Sequence, residues 1–163
     1  MDSIDLLLWD VIESPLGPLY LVASQAGLCA IGLSQEDLPG PLTDARRDAA
    51  ALAPVAAQLR AYFAGERRDF DLALDLRRLT PFQTSVLQAT CNIPAGTVWT
   101  YGQVARAVGK PQASRAVGQA LARNPIPIVI PCHRVVASDG SLGGYGGGLA
   151  TKRWLLQLEG ALP

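Results

Sequence analysis

The chain changes character near Arg77, and this break limits what it can fold into more than any other feature. Before it, Leu6 to Ile12, Leu19 to Ala23 and Gly27 to Leu33 are short β-prone runs. Ser14-Pro15-Leu16-Gly17-Pro18 and Ser24-Gln25-Ala26-Gly27 separate them as turns, which predicts a three-stranded antiparallel meander. Glu36 to Thr43 contains two prolines and reads as a loop. Ala45 to Gly65 carries Leu52, Val55, Leu59, Tyr62 and Phe63 at helical spacing, with Pro54 expected in the first turn. Phe70 to Leu76 alternates apolar and acidic residues, as an edge strand or extended connector does.

After the break, Thr80-Pro81 is an N-cap followed by proline at the first helical position, and the helix is expected to run to about Thr90. Asn92 to Thr97 is a turn. Tyr101 to Val108 and Gln112 to Arg123 read as short helices, stopped by Gly109-Lys110-Pro111 and Asn124-Pro125, in the manner of a helix-turn-helix. Ile126 to Ile130 reads as a buried strand. Val135-Val136, a turn at Asp139-Gly140 and the stretch Gly143 to Gly148 are expected to form a wing. Thr151 to Glu159 is the last helix, with Gly160 suited to its C′ position. The expected organisation is an α/β N-terminal domain over residues 1–77 and a mostly helical C-terminal domain over residues 78–163.

Charge divides at the same place. Residues 1–77 hold six basic against twelve acidic residues, a net of −6, and residues 78–163 hold eight basic against two acidic, a net of +6. A basic half favours a polyanion partner, although two ordinary surfaces could differ this way by chance. Three cysteines are too few for a disulfide framework, and one histidine leaves little for a Cys/His zinc site, so no metal or other cofactor is expected. No apolar run approaches the roughly 20 residues of a membrane span. The acidic start, Met1-Asp2-Ser3-Ile4-Asp5, has no positive n-region, which predicts a soluble, unexported, cytoplasmic protein without membrane contact.

Two segments carry candidate chemistry. On the helix Gln112 to Arg123, Ala113, Val117, Ala120 and Leu121 form the apolar face, and Arg115, Gly118, Gln119 and Ala122 form another. That outward face is mostly small, which suits close docking in a minor groove better than base reading by long polar side chains. Arg115 is then either a cation that enters the base stack or a solvated helix arginine. The second segment is Ile128-Val129-Ile130-Pro131-Cys132-His133-Arg134-Val135, where the single histidine follows a cysteine. An ordinary thiol is only about 3% ionised at pH 7, so a nucleophilic Cys132 needs activation to be ionised in its resting pocket. In an extended chain the two side chains point to opposite faces, so a bridging water is expected between them. Glu159, a carboxylate in the last turn of a helix, needs a cationic or hydrogen-bonding partner and is a candidate to orient His133. The alternative is an inert buried thiol beside a structural histidine. Cys29 and Cys91 are expected in the core.

Ile130-Pro131-Cys132-His133-Arg134-Val135 resembles the active-site signature of the O6-alkylguanine-DNA alkyltransferases, the methylated-DNA–protein-cysteine methyltransferases. The resemblance spans about Thr80 to Gly160, through Phe82-Gln83, Ile93-Pro94-Ala95-Gly96, Tyr101-Gly102, Ser114 to Gly118, Asn124-Pro125, Gly144-Tyr145 and Leu158-Glu159-Gly160. It is looser before Arg77. It implies a ribonuclease H-like N-terminal domain and a winged helix-turn-helix C-terminal domain. It also implies direct-reversal repair: after nucleotide flipping, the alkyl group of O6-alkylguanine, and of O4-alkylthymine, passes irreversibly to Cys132. In the implied roles, His133 acts through water with Glu159 to make the thiolate, Asn124 braces the loop and Tyr101 donates to guanine N3. Arg115 fills the vacated stack, while Ala116, Gly118, Gln119 and Ala122 meet the minor groove of double-stranded DNA. Val135, Tyr145 and Gly146 join Tyr101 in the substrate pocket, and the main chain near Cys132 and Val135 accepts from the guanine amine. A monomer is implied. Many members carry serine at Gly146 and tryptophan at Leu87, and the zinc ligands of some relatives are missing.

Two rivals fit parts of the same sequence. One is a thiol hydrolase using Cys132 and His133, which would turn over. The other is a winged-helix regulator without catalysis, which would prefer particular DNA sequences.

Overall fold

A computed structural model describes residues 6–163; the acidic start lies outside the described residues. The chain divides into two units, one ending at Arg78 and the other comprising Leu79–Pro163.

In the first unit, strands β1 (Leu7–Ile12), β2 (Leu19–Ser24) and β3 (Gly27–Gly32) form the expected antiparallel meander. A fourth strand, β4 (Ala45–Arg47), pairs in parallel with β1, so the sheet order is β3-β2-β1-β4. This shortens the expected helix at its start. Helix α1 is Ala49–Phe63, and its N-cap is Asp48, whose carboxylate accepts from the Ala51 amide at 3.0 Å. Pro54 therefore stands inside the helix rather than in its first turn. Leu52, Val55, Ala56, Leu59 and Tyr62 form the buried stripe of α1, which packs on β1 and β2.

Phe70 to Leu76 is a connector, not a strand. One bridge, Leu28 to Leu74, ties it to β3, reinforced by Asp75 N donating to the Leu28 carbonyl at 2.8 Å. The Ser24 hydroxyl donates to Asp75 Oδ2 at 2.6 Å, and Arg77 pairs with Asp75 at 2.9 Å. Cys29 is only half-buried.

In the second unit, α2 (Pro81–Thr90) starts with a capping box between Thr80 and Gln83. Thr100 and Gln103 repeat this device at α3 (Tyr101–Ala107). Helix α4 (Ser114–Ala122) packs against both α2 and α3, burying Val117, Ala120 and Leu121. Leu87, the exchange for tryptophan, is buried in this core. Cys91 is not in the core: it is the C-cap of α2, one residue beyond the buried Thr90, and is exposed.

The segment Ile126–Ile130 is not a strand. Ile130 N donates back to the Ile126 carbonyl at 2.9 Å, and Ile128 has φ +74°, so the apolar run is a buried turn. Strands β5 (Trp99–Thr100) and β6 (Val135–Val136) pair in parallel. The stretch Gly143 to Gly148, expected in a wing, contains no strand. Helix α5 is Leu149–Leu158, followed by Glu159 as its C-cap and Gly160 at φ +79°. No helix among the described residues is long and apolar enough to cross a membrane.

Candidate active site

The turn that presents Cys132 is held from inside. Asn124 follows the end of α4, and its Nδ2 donates to the Ile130 carbonyl at 3.0 Å while its Oδ1 accepts from the Ile126 amide at 3.0 Å. One side chain thus satisfies both ends of a buried turn whose polar groups would otherwise be left unpaired. After Pro131 the chain enters a 3₁₀ turn, Cys132–Arg134. This corrects the extended geometry expected from sequence. A 3₁₀ turn rotates successive side chains by roughly 120°, so Cys132, His133 and Arg134 take three directions.

Cys132 lines a cavity of about 280 Å³ with Tyr101, Gly118, Leu121, Ala122, Gly144, Tyr145 and Gly146. His133 and Arg134 are buried with Glu159. His133 Nε2 lies 2.9 Å from Glu159 Oε2. The Arg134 guanidinium grips the same carboxylate with both arms, Nε to Oε1 at 2.9 Å and Nη2 to Oε2 at 2.8 Å, and its Nη1 donates to the Ile93 carbonyl at 2.7 Å. This answers the question posed by a carboxylate at a helix C-terminus: the partner is cationic, and it is Arg134. A carboxylate so held accepts from His133 Nε2, which leaves Nδ1 as the basic nitrogen. Buried His133 Nδ1 and Tyr145 Oη have no hydrogen-bond partner among the described residues.

Lys152 on α5 is also fully buried. Its Nζ donates to the Val135 carbonyl at 2.6 Å and the Gly144 carbonyl at 3.1 Å, tying the segment after Cys132 to the glycine-rich wall of the cavity. Val135 itself does not line the cavity, and its carbonyl is already engaged by Lys152.

Burial pushes the Cys132 thiol up, against the downward pull of Asn124, Lys152 and nearby backbone amides. Burial pushes His133 down, opposed by Glu159. Burial thus disfavours the charged form of both groups, while the neighbouring donors around Cys132 and the Glu159 carboxylate beside His133 favour it. Burial also lowers the Lys152 ammonium to about 8, while negative charge on Cys132 works in the other direction.

On α4, Arg115, Ala116, Gln119 and Ala122 are exposed and Gly118 is half-buried. Gly118 and Ala122 also line the cavity, so the outward helix face and the thiol pocket share a border. At Gly146 a Cβ would come no nearer than 4.0 Å to any neighbour, the Ala122 carbonyl, so no crowding requires glycine there. Arg134 and Lys152 escaped the sequence reading because isolated basic residues in a basic half look like surface charge. Among the described residues, no group of three metal-ligating side chains comes together.

A buried thiol that faces a cavity, backed by histidine and carboxylate and bordering an exposed helix, is the layout of a cysteine-nucleophile protein. Residues 81–161 match the family described as 6-O-methylguanine DNA methyltransferase, DNA binding domain, and residues 7–76 match its ribonuclease-like domain. A Methanosarcina barkeri methylated-DNA–protein-cysteine methyltransferase is 44% identical over 155 residues, covering 93% of this chain and 96% of the relative. A Mycobacterium tuberculosis protein of the same name is 45% identical over 148 residues, covering 91% and 89%. The crystal structure of Mycobacterium tuberculosis OGT in complex with DNA matches with a TM-score of 0.87 at 43% identity, covering 94% of this chain and 93% of that one. The chain belongs to the 6-O-methylguanine DNA methyltransferase family.

Proposed function

We propose that this protein repairs DNA by direct reversal, moving the alkyl group of O6-alkylguanine, and of O4-alkylthymine, onto Cys132 once per molecule. The observation that carries this reading is the position of the thiol: Cys132 lines a cavity bordered by α4, and His133 and Glu159 stand behind it. DNA binding and catalysis are assigned to the second unit, Leu79–Pro163, one residue short of the division at 77/78 expected from sequence. A cytoplasmic monomer is the form proposed; every proposed site residue lies within the second unit of one chain.

A lesion on guanine O6 is buried in the duplex, so the nucleotide must leave the stack at a cost of a few kcal/mol. The face of α4 bearing Arg115, Ala116, Gly118, Gln119 and Ala122 docks in the minor groove, and Arg115 fills the gap. The extruded base enters the cavity beside Tyr101, Tyr145 and Gly146. The thiol proton passes through a water to His133 Nδ1, and Glu159, held by Arg134, steadies the resulting imidazolium. Sulfur attacks the alkyl carbon, the carbon–oxygen bond breaks, and the electron pair stays with guanine. Tyr101 passes its hydroxyl proton to N3, so the base leaves neutral, and the proton held on His133 then returns through water to the phenolate.

The reading is tested by stoichiometry. Duplex DNA with a labelled methyl on guanine O6 should transfer label to protein until about one methyl per chain is bound, then stop. Continued loss of lesions beyond that plateau would favour the hydrolase, and sequence-selective binding without transfer would favour the regulator. Arg115→Ala should slow transfer from duplex by about 10- to 100-fold while leaving transfer from free O6-methylguanine unchanged. Equal losses on the two substrates would remove its stack-filling role.

A further inference from the structure

Tyr101 is the first residue of α3, and its ring lies between two glycines. On one side is Gly118 of α4, where a Cβ would make ordinary contact with the ring, 3.8 Å from Cε1. On the other side is Gly143, which is not in the same situation. Its φ is +72°, and a Cβ there would stand 2.5 Å from the Tyr101 hydroxyl oxygen, 3.0 Å from Cε2 and 3.2 Å from Cζ. Non-bonded heavy atoms settle at about 3.5 to 4.0 Å, so a methyl group and the phenol cannot both keep these positions. The hydroxyl occupies the volume that any other residue at 143 would fill. Helix α3 cannot yield easily, because the Thr100–Gln103 capping box fixes the backbone at Tyr101. Gly144, the next residue, is fastened through its carbonyl to Lys152, so the wall is fixed too.

We infer that Gly143 is a positioning residue for Tyr101: its missing side chain sets how far the phenol hydroxyl reaches across the thiol cavity, and so where a bound purine receives its hydrogen bond. The inference rests on the reading that the cavity takes an extruded purine. A displacement of about 1 Å at a positioned group can cost about a hundredfold in rate, which is the effect expected here.

The test is a double-mutant cycle on the full chain, with Gly143→Ala, Tyr101→Phe and the double variant. Gly140→Ala serves as the control, because Gly140 shares a positive φ, +89°, but has nothing within 4 Å of a Cβ. Single-turnover transfer from O6-methylguanine duplex should fall about a hundredfold in Gly143→Ala. On the Tyr101→Phe background, where no hydroxyl is left to be placed, the same change should cost less than about threefold, a departure from additivity well beyond that of independent sites. Alkylation of Cys132 by iodoacetamide should change less than about twofold in Gly143→Ala, since no purine is involved. A second readout does not depend on repair: the carbon NMR signal of the Tyr101 phenol should move in Gly143→Ala and stay in place in Gly140→Ala. Equal rate losses on both Tyr101 backgrounds, an equal loss of iodoacetamide reactivity, or an unmoved phenol signal would each overturn the inference. Failure of the unmodified protein to transfer methyl would sink the repair reading instead, and the phenol signal would still decide the positioning role.

Discussion

Cys132→Ser is expected to abolish alkyl transfer, by at least about 10⁴-fold, while DNA affinity stays within about twofold. A serine hydroxyl is far harder to ionise than a thiol, and a nearby neutral histidine cannot make up that difference. The proposed binding surface is untouched: Arg115, Ala116, Gln119 and Ala122 are exposed on α4, whereas Cys132 is buried at the end of a braced turn. Oxygen for sulfur is nearly volume-conserving, so the fold should lose less than about 1.5 kcal/mol. Gel-shift titration and single-turnover transfer on the same preparation check both halves. A loss of binding as deep as the loss of transfer would show that Cys132 supports the DNA-facing structure rather than accepting the alkyl group.

The largest stability effect is expected from Arg134→Met. Arg134 satisfies both oxygens of Glu159 and the Ile93 carbonyl, in a cluster where the carboxylate and His133 are excluded from water. Methionine fills much of the volume but takes the guanidinium away from the buried carboxylate. Breaking a buried pair in this way costs about 3–5 kcal/mol, mostly as an uncompensated buried charge. The cluster joins the loop after α2, the 3₁₀ turn and the end of α5, so its loss should lower the urea midpoint without changing the slope. The cost should also depend on pH. In the unmodified protein burial holds His133 below its ordinary value of 6.5, and Arg134 adds to that depression. His133 therefore contributes stability that is present above about 6.5 and is lost as pH falls through its depressed folded value. Without Arg134, protonated His133 becomes a cationic partner for Glu159, so the gap between the two proteins should narrow from pH 7 toward pH 5. A loss under about 1 kcal/mol, flat in pH, would mean that the ion pair behaves like an exposed one.

What could be read from the sequence was whatever a few neighbouring residues decide. Thr80, Pro81 and Gln83 specify the start of α2 among themselves, as do Thr100 and Gln103 for α3. The meander follows from alternation and turn residues within each hairpin. Strand β4 was not legible, because Ala45–Arg47 becomes a strand only through pairing with β1, far away in sequence. Ile126–Ile130 has the composition of a strand, yet Asn124 folds it into a turn by satisfying both of its ends. The same limit applied at the site. Cys132, His133 and Glu159 stood out by type and position, whereas Arg134 and Lys152 did not. Their burial also changes the meaning of the charge: two of the basic residues in the second half face the interior and cannot meet a polyanion.

The most direct test of the account is to locate the transferred methyl within the protein. After reaction with O6-methylguanine duplex, peptide mass spectrometry should find a gain of about 14 Da, one CH₂, on the peptide carrying Cys132, with Cys29 and Cys91 unmodified. A methyl on Cys29 or Cys91, or lesions consumed with no modified cysteine at all, would contradict it.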